Sequence, residues 1–73
     1  MKVKSLVKVS RNIEVAIVNE HGTMLASVIV DETGEIIDYN CGTYVQWALY
    51  ENQKVDHFTV SCDGESLYVV VKG

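Results

Sequence analysis

Cys41, Cys62, His21 and His57 are the side chains of this sequence with the greatest reach in chemistry, because thiolate and imidazole bind zinc and also act as nucleophile and base. Their spacing argues against a structural zinc site. Small zinc domains draw paired ligands from tight knuckles of the C-x2-C kind, and no two of these four residues lie within four positions of each other. Cys41 stands in Asn40-Cys41-Gly42-Thr43, ahead of a candidate helix whose dipole would lower its thiol pKa, and His57 would complete a nucleophile pair. Neither a third orienting residue nor an oxyanion motif accompanies the two, so a turn holding a small, partly buried Cys is the simpler reading. Asp56 precedes His57, but neighbours on a strand point to opposite faces, so a strand here predicts no Asp–His dyad.

The remaining charged groups form two clusters. Asp31, Glu32, Glu35 and Asp38 gather around one loop without the D-x-[DN]-x-[DN]-G order of a calcium loop, which reads as a solvated, aggregation-blocking turn. Lys2, Lys4, Lys8 and Arg11 give the first eleven residues four positive charges, whereas Lys54 and Lys72 stand alone against all ten carboxylates in the remainder. Such a basic stripe would follow a nucleic-acid backbone, with Tyr or Trp stacking on bases, or it would protect an edge strand, for which lysine is the usual guard. The acidic body disfavours nonspecific attraction to nucleic acid or anionic membrane, so the guard is the preferred reading. Five scattered glycines offer no phosphate-cradling loop. No catalytic residue, metal, cofactor or small-molecule substrate is expected.

A chain of 73 residues buries only roughly 60% of the surface its unfolded form exposes, which leaves a thin core and little room for a deep pocket. With 48% apolar and 22% charged residues it belongs among folded chains, read as one domain over 1–73. The longest apolar run, Leu67 to Val71, is far short of the roughly 20 residues a membrane helix needs, and Met1 to Ser5 lead into no unbroken apolar stretch, so no secretory h-region is expected. These features predict a soluble, cytoplasmic protein with reduced thiols, a Cys41–Cys62 bridge being the lesser alternative.

The elements that would position these residues begin with a rhyme. Val18-Asn19-Glu20-His21-Gly22-Thr23-Met24-Leu25 and Val30-Asp31-Glu32-Thr33-Gly34-Glu35-Ile36-Ile37 share the pattern V-[ND]-E-x-G-x-apolar-apolar. Each reads as a three-residue hairpin loop with Gly in the left-handed conformation. Together they predict a three-stranded meander in which Asn19 pairs with Thr23 and Asp31 with Glu35. Carried through with period two, that register puts Ile13, Val15, Ile17, Leu25, Ile29, Ile37 and Tyr39 on one face. The other face collects Ala16, Val18, Met24, Ala26, Val28, Val30 and Ile36, so the meander is expected to be apolar on both sides and covered on both. Val3 to Val9 alternates like a strand, with Leu6 interrupting its polar face. Ser10-Arg11-Asn12 is a turn. Val55–Cys62 and Ser66–Lys72 flank Asp63-Gly64 as a hairpin that pairs Phe58 with Val69 and Val60 with Leu67, leaving His57, Thr59, Tyr68 and Val70 on the reverse. Residues 43–51 read as a short helix with Thr43 as N-cap and Tyr44, Val45, Ala48 and Leu49 as its stripe, although a strand also fits.

The resulting expectation is a β-rich α+β fold: an antiparallel, curled sheet of five to six strands with one short helix near 43–51, or alternatively a small all-β barrel. With no motif that dictates an activity, the reading is a small non-enzymatic protein-interaction module, of the type of bacterial or mobile-element accessory and inhibitory proteins. Its partner would be another protein or a second copy in a homodimer. Trp47, Tyr50, Tyr44, Val18, Met24, Val28 and Val30 are its expected interaction surface, as aromatic anchors and surplus apolar face. The alternative is a nucleic-acid-binding domain using the basic N-terminal strand.

Overall fold

The structure, a computed structural model, describes residues 1–41 and 44–72, and of Cys41 and Tyr44 the backbone only. In chain order its elements are α1 (Val3–Lys8), β1 (Ile13–Asn19), β2 (Met24–Val30), β3 (Ile36–Cys41), α2 (Tyr44–Tyr50), β4 (Val55–Val60) and β5 (Ser66–Val71). The strands make one five-stranded sheet in the order β3-β2-β1-β5-β4. β1 and β5 run parallel, while the other three pairs are antiparallel, so the sheet is mixed rather than wholly antiparallel. Among the described residues β3 and β4 remain edges, and the sheet is an open layer instead of a barrel. The β-rich α+β class stands, with a helix inside the expected 43–51 window and a second one where the alternation of Val3 to Val9 predicts a strand.

That second helix is α1. Val3, Leu6 and Val7 are buried at i, i+3 and i+4, while Lys4 and Lys8 stay exposed one turn apart. Leu6, the residue that spoiled the strand alternation, is therefore the helical signal. Six residues are too few for a helix to persist on propensity alone, and no side chain caps its start. Instead the Val3 and Lys4 amides donate to the carbonyls of Gln53 and Glu51, and the Arg11 guanidinium donates to Lys8 O at its far end.

Both rhyming loops form as read. Asn19 N–H donates to Thr23 O at 3.0 Å and Asp31 N–H to Glu35 O at 2.9 Å, with Gly22 and Gly34 at φ +82° and +92°. Beyond the loops the register departs from the strict alternation. Val18 pairs with Met24 but Ile17 with Ala26, so Leu25 is an extra residue, and everything in β2 after it turns over. Ile37 is likewise extra: Val30 pairs with Ile36 and Ile29 with Asp38, and a further irregularity brings Ser27 opposite Cys41. Ala26, Val28, Val30 and Ile36 thereby join Ile13, Val15 and Ile17 on one face in place of Ile29 and Ile37, while Leu25 and Tyr39 keep their expected packing against the core.

The bulges improve the burial. The strict register would have turned Ser27 inward and Val28 and Val30 outward; the bulged one buries both valines, each worth about 1.5–3 kcal/mol. α1 and α2 lie on this face and complete the core with Val3, Leu6, Val7 and Trp47 above Val15, Ile17, Val69 and Val71. The reverse face carries Glu14, Ala16, Val18, Ser27, Ile29, Asp38, Ser66, Tyr68 and Val70, a mixed polar and apolar face on which the small Ala16 and Ser27 are fully buried and most of the others half-buried. The expectation of two apolar faces is thus corrected to one.

The outer hairpin keeps its expected pairs, Phe58 with Val69, Val60 with Leu67 and Thr59 with Tyr68. Its last ladder bond joins Ser61 N–H to Ser66 O, so the loop is Cys62–Glu65 rather than two residues, held by Asp63, which accepts from Ser61 and the Glu65 amide. β5 alternates apolar side chains on both faces and fits an interior position. β4, with Asp56, His57 and Thr59, fits an edge.

Candidate interaction surface

The groups with chemical potential are dispersed. Cys62 is an exposed free thiol in the β4–β5 loop, and His21 is exposed in the β1–β2 loop with Glu20 at 3.8 Å. The side chain of Cys41, with Gly42 and Thr43, falls outside the described residues, and so do the expected N-cap and the bridge to Cys62. Among the described residues no three metal-ligating side chains converge.

Asp56 and His57 do form a pair, contrary to the alternation rule. Val55 pairs with Val71 and His57 with Val70, so Asp56 is the extra residue of a bulge and turns to the same side as its neighbour. Its carboxylate lies 2.8 Å from His57 Nδ1, and Lys72 Nζ is 3.5 Å from its other oxygen. The His57 hydrogen bond chiefly holds the Asp56 carboxyl below the ordinary range; desolvation opposes it and Lys72 reinforces it. The acidic loop is a turn, as read. Asp31 Oδ1 accepts from the Thr33 hydroxyl and from the Thr33 and Glu35 amides, and these bonds, led by the hydroxyl, lower its carboxyl pKa.

One polar constellation had no counterpart in the sequence reading. On the reverse face Glu14 accepts from the fully buried Ser27 hydroxyl at 3.2 Å, from the Ser66 hydroxyl at 3.2 Å and from the Asn40 side-chain amide. One carboxylate thus ties β1 to β2, β5 and β3. A shallow cleft lined by Ile29, Asn40, Glu65 and Ser66 opens beside it. All three donors are satisfied within the protein, so the constellation is a brace across the strands.

The residues expected at an interaction surface mostly lie elsewhere. Trp47, Val28 and Val30 are core, 2% exposed or less, and Tyr50 is half-buried against it. Val18 is half-buried on the reverse face, Met24 is exposed beside the first loop, and the Tyr44 side chain is outside the described residues. α2 presents the inverse of its expected stripe: Trp47 points inward, and Val45 and Leu49 face solvent, 67% and 65% exposed. A Trp ring buries more apolar area than Val or Leu, so it takes the most buried position among the described side chains of this seven-residue helix.

β4 carries the most distinctive surface. Phe58 and Val60 share the face of the core residues Val69 and Leu67, yet each is 53% exposed. The helices leave that end of the edge strand bare. No family profile, no curated protein and no solved structure matches this chain. The molecule's own geometry therefore carries the functional reading.

The signal for Phe58 and Val60 was available as the apolar face of the outer hairpin. What the sequence could not show was that the face ends beyond the reach of the helices. The lysines, finally, sit on α1 instead of a strand, and Lys4 and Lys8 share a groove with Glu35 and Glu51. The extended basic strand required by the nucleic-acid reading is absent from the described residues. Nor does any described helix have the length and apolarity to cross a membrane.

Proposed function

We propose that this chain is a small, non-enzymatic protein-interaction module whose docking surface is the free edge of β4 with the exposed Phe58 and Val60. The observation that carries the reading is the coincidence, among the described residues, of a strand edge open from Asp56 to Ser61 with two half-exposed large apolar side chains on the same strand. Lysine and proline, which blunt strand edges, are absent between Val55 and Ser61, and the bulge and charge at Asp56 guard only the start of that stretch. Strand addition supplies main-chain hydrogen bonds, and alternate side chains supply selectivity. The outward Val45 and Leu49 of α2 form a secondary apolar site.

Co-purification of tagged chain from native extract, in parallel with the Phe58→Asp variant, tests the reading. The wild-type chain is expected in an assembly, with itself or another protein, from which a folded Phe58→Asp variant is missing. A wild-type chain that stays alone, or an assembly indifferent to the substitution, would refute the role of β4.

A further inference from the structure

We infer that the occupant of the β4 edge is a second copy of this chain, its β4 antiparallel to the first across a two-fold axis, making one continuous ten-stranded sheet. The inference rests on β4 being the docking edge and adds the identity and register of what docks there.

Hydrogen-bond parity fixes which groups are available. Ser61 N–H bonds Ser66 O, so in the unbroken ladder that follows Thr59 bonds Tyr68, while the N–H and C=O of Phe58 and Val60 point away from β5 to the free edge. The start of the edge is already taken. Val55 N–H donates to Met1 O at 2.8 Å, and Lys2 bridges Lys54, which leaves the stretch from Asp56 to Ser61 open. A two-fold pairing must match outward-facing residues with outward-facing residues. Phe58 opposite Val60 of the second copy satisfies this twice, with Thr59 opposite Thr59 on the axis. Both bare apolar side chains are then covered by cross-strand aromatic–aliphatic pairs.

Charge selects the same orientation. Lys2, Lys54 and the Asp56-paired Lys72 cluster at the starting end of β4, a net positive end, whereas Asp63 and Glu65 occupy the loop at its finishing end. Antiparallel docking sets the lysine end of each copy beside the acidic loop of the other, two complementary contacts for one interface. Parallel docking would stack lysine on lysine and acid on acid.

Sedimentation equilibrium on the full chain, read with a crosslinking arm, tests this. The wild type is expected to be a reversible dimer, and Phe58→Asp, which places a carboxylate among the covered apolar groups, should raise its Kd at least about a hundredfold with an unchanged circular dichroism spectrum. Val60→Glu provides an independent second disruption should the first variant misfold. Lys54→Glu should weaken the dimer, and Lys54→Glu with Glu65→Lys, which leaves the Asp63 loop bonds intact, should restore it. In a Cys41→Ser, Cys62→Ser background, Thr59→Cys should crosslink two copies under mild oxidation, because the axis brings two non-hydrogen-bonded positions within disulfide range, and His57→Cys should not. A strict monomer with no Thr59→Cys crosslink would overturn the second-copy inference; if Phe58→Asp still abolishes binding of a different protein, the edge reading survives it. A dimer indifferent to Phe58→Asp and Val60→Glu would overturn both.

Discussion

β4 and β5 are two strands of one hairpin, equal in length and each with apolar residues on the helix-covered side of the sheet, and they end in opposite environments. β5 is wedged between β1 and β4 and buries Leu67, Val69 and Val71, at 7% exposure or less, beneath the helices. β4 carries Phe58 and Val60 on the same face and exposes more than half of each. The difference lies in position. α2 crosses from the β3 edge to the start of β4 and packs on β2, and α1 ends near the β2–β3 loop, so cover runs out along the second half of β4. Burial of a side chain is set by what its strand lies beneath as much as by its own hydrophobicity, and the strand left over is where a partner gains most.

The largest expected contrast is between the two members of one cross-strand pair. Val69→Asp should prevent folding at ambient temperature, since an uncompensated buried charge costs more than a domain of this size can spare, and circular dichroism would show it. Phe58→Asp should leave the thermodynamic stability of the isolated chain within about 1 kcal/mol of wild type. Equal losses would mean that β4 is covered in solution by something other than a dissociable partner. Gly34→Val comes next, at about 3 kcal/mol in urea unfolding: it strains a left-handed residue, and an added Cβ would clash with the Arg11 guanidinium and stand 3.2 Å from Lys8 O. Gly22→Val meets the same backbone strain in open space and should cost about 1–2 kcal/mol. Glu14→Ala should fall between these, about 2 kcal/mol, because it strands the buried Ser27 hydroxyl.

The smallest effect is that of pH. Asp31, Asp56 and Asp63 all have folded pKa values depressed below the unfolded ones, so each contributes stability that is complete above the unfolded carboxylate pKa of about 4 and is lost as pH falls through the folded value. Thermal melting should therefore weaken below about pH 4, and less steeply in Asp31→Asn. An identical slope in that variant would detach the Asp31 turn from acid stability.

Much of the fold was readable where its determinants are local. An Asn or Asp opening a loop with Gly three residues later dictated both meander turns, and the Asp63-Gly64 loop placed Phe58 against Val69 and Val60 against Leu67. Three of the misreadings share a physical origin. Leu25, Ile37 and Asp56 are bulge residues, and a bulge is chosen by the packing that follows it; no residue type announces it. One extra residue at Leu25 was enough to move Val28 and Val30 from the expected interaction surface into the core. Likewise the parallel union of β1 with β5 is a long-range event, set by how the hairpin docks, and the hairpin's own sequence is silent on it. The candidate site was half legible: the apolar face of β4 was evident, its exposure was not.

The central claim is tested most directly by amide hydrogen exchange at three consecutive positions of β4, followed by NMR as protein concentration rises. Thr59, bonded to β5, should be protected throughout, while Phe58 and Val60 should exchange freely in dilute solution and become protected together as the second copy docks. Phe58 and Val60 amides that exchange freely at every concentration, or are already protected in the dilute monomer, would contradict the account.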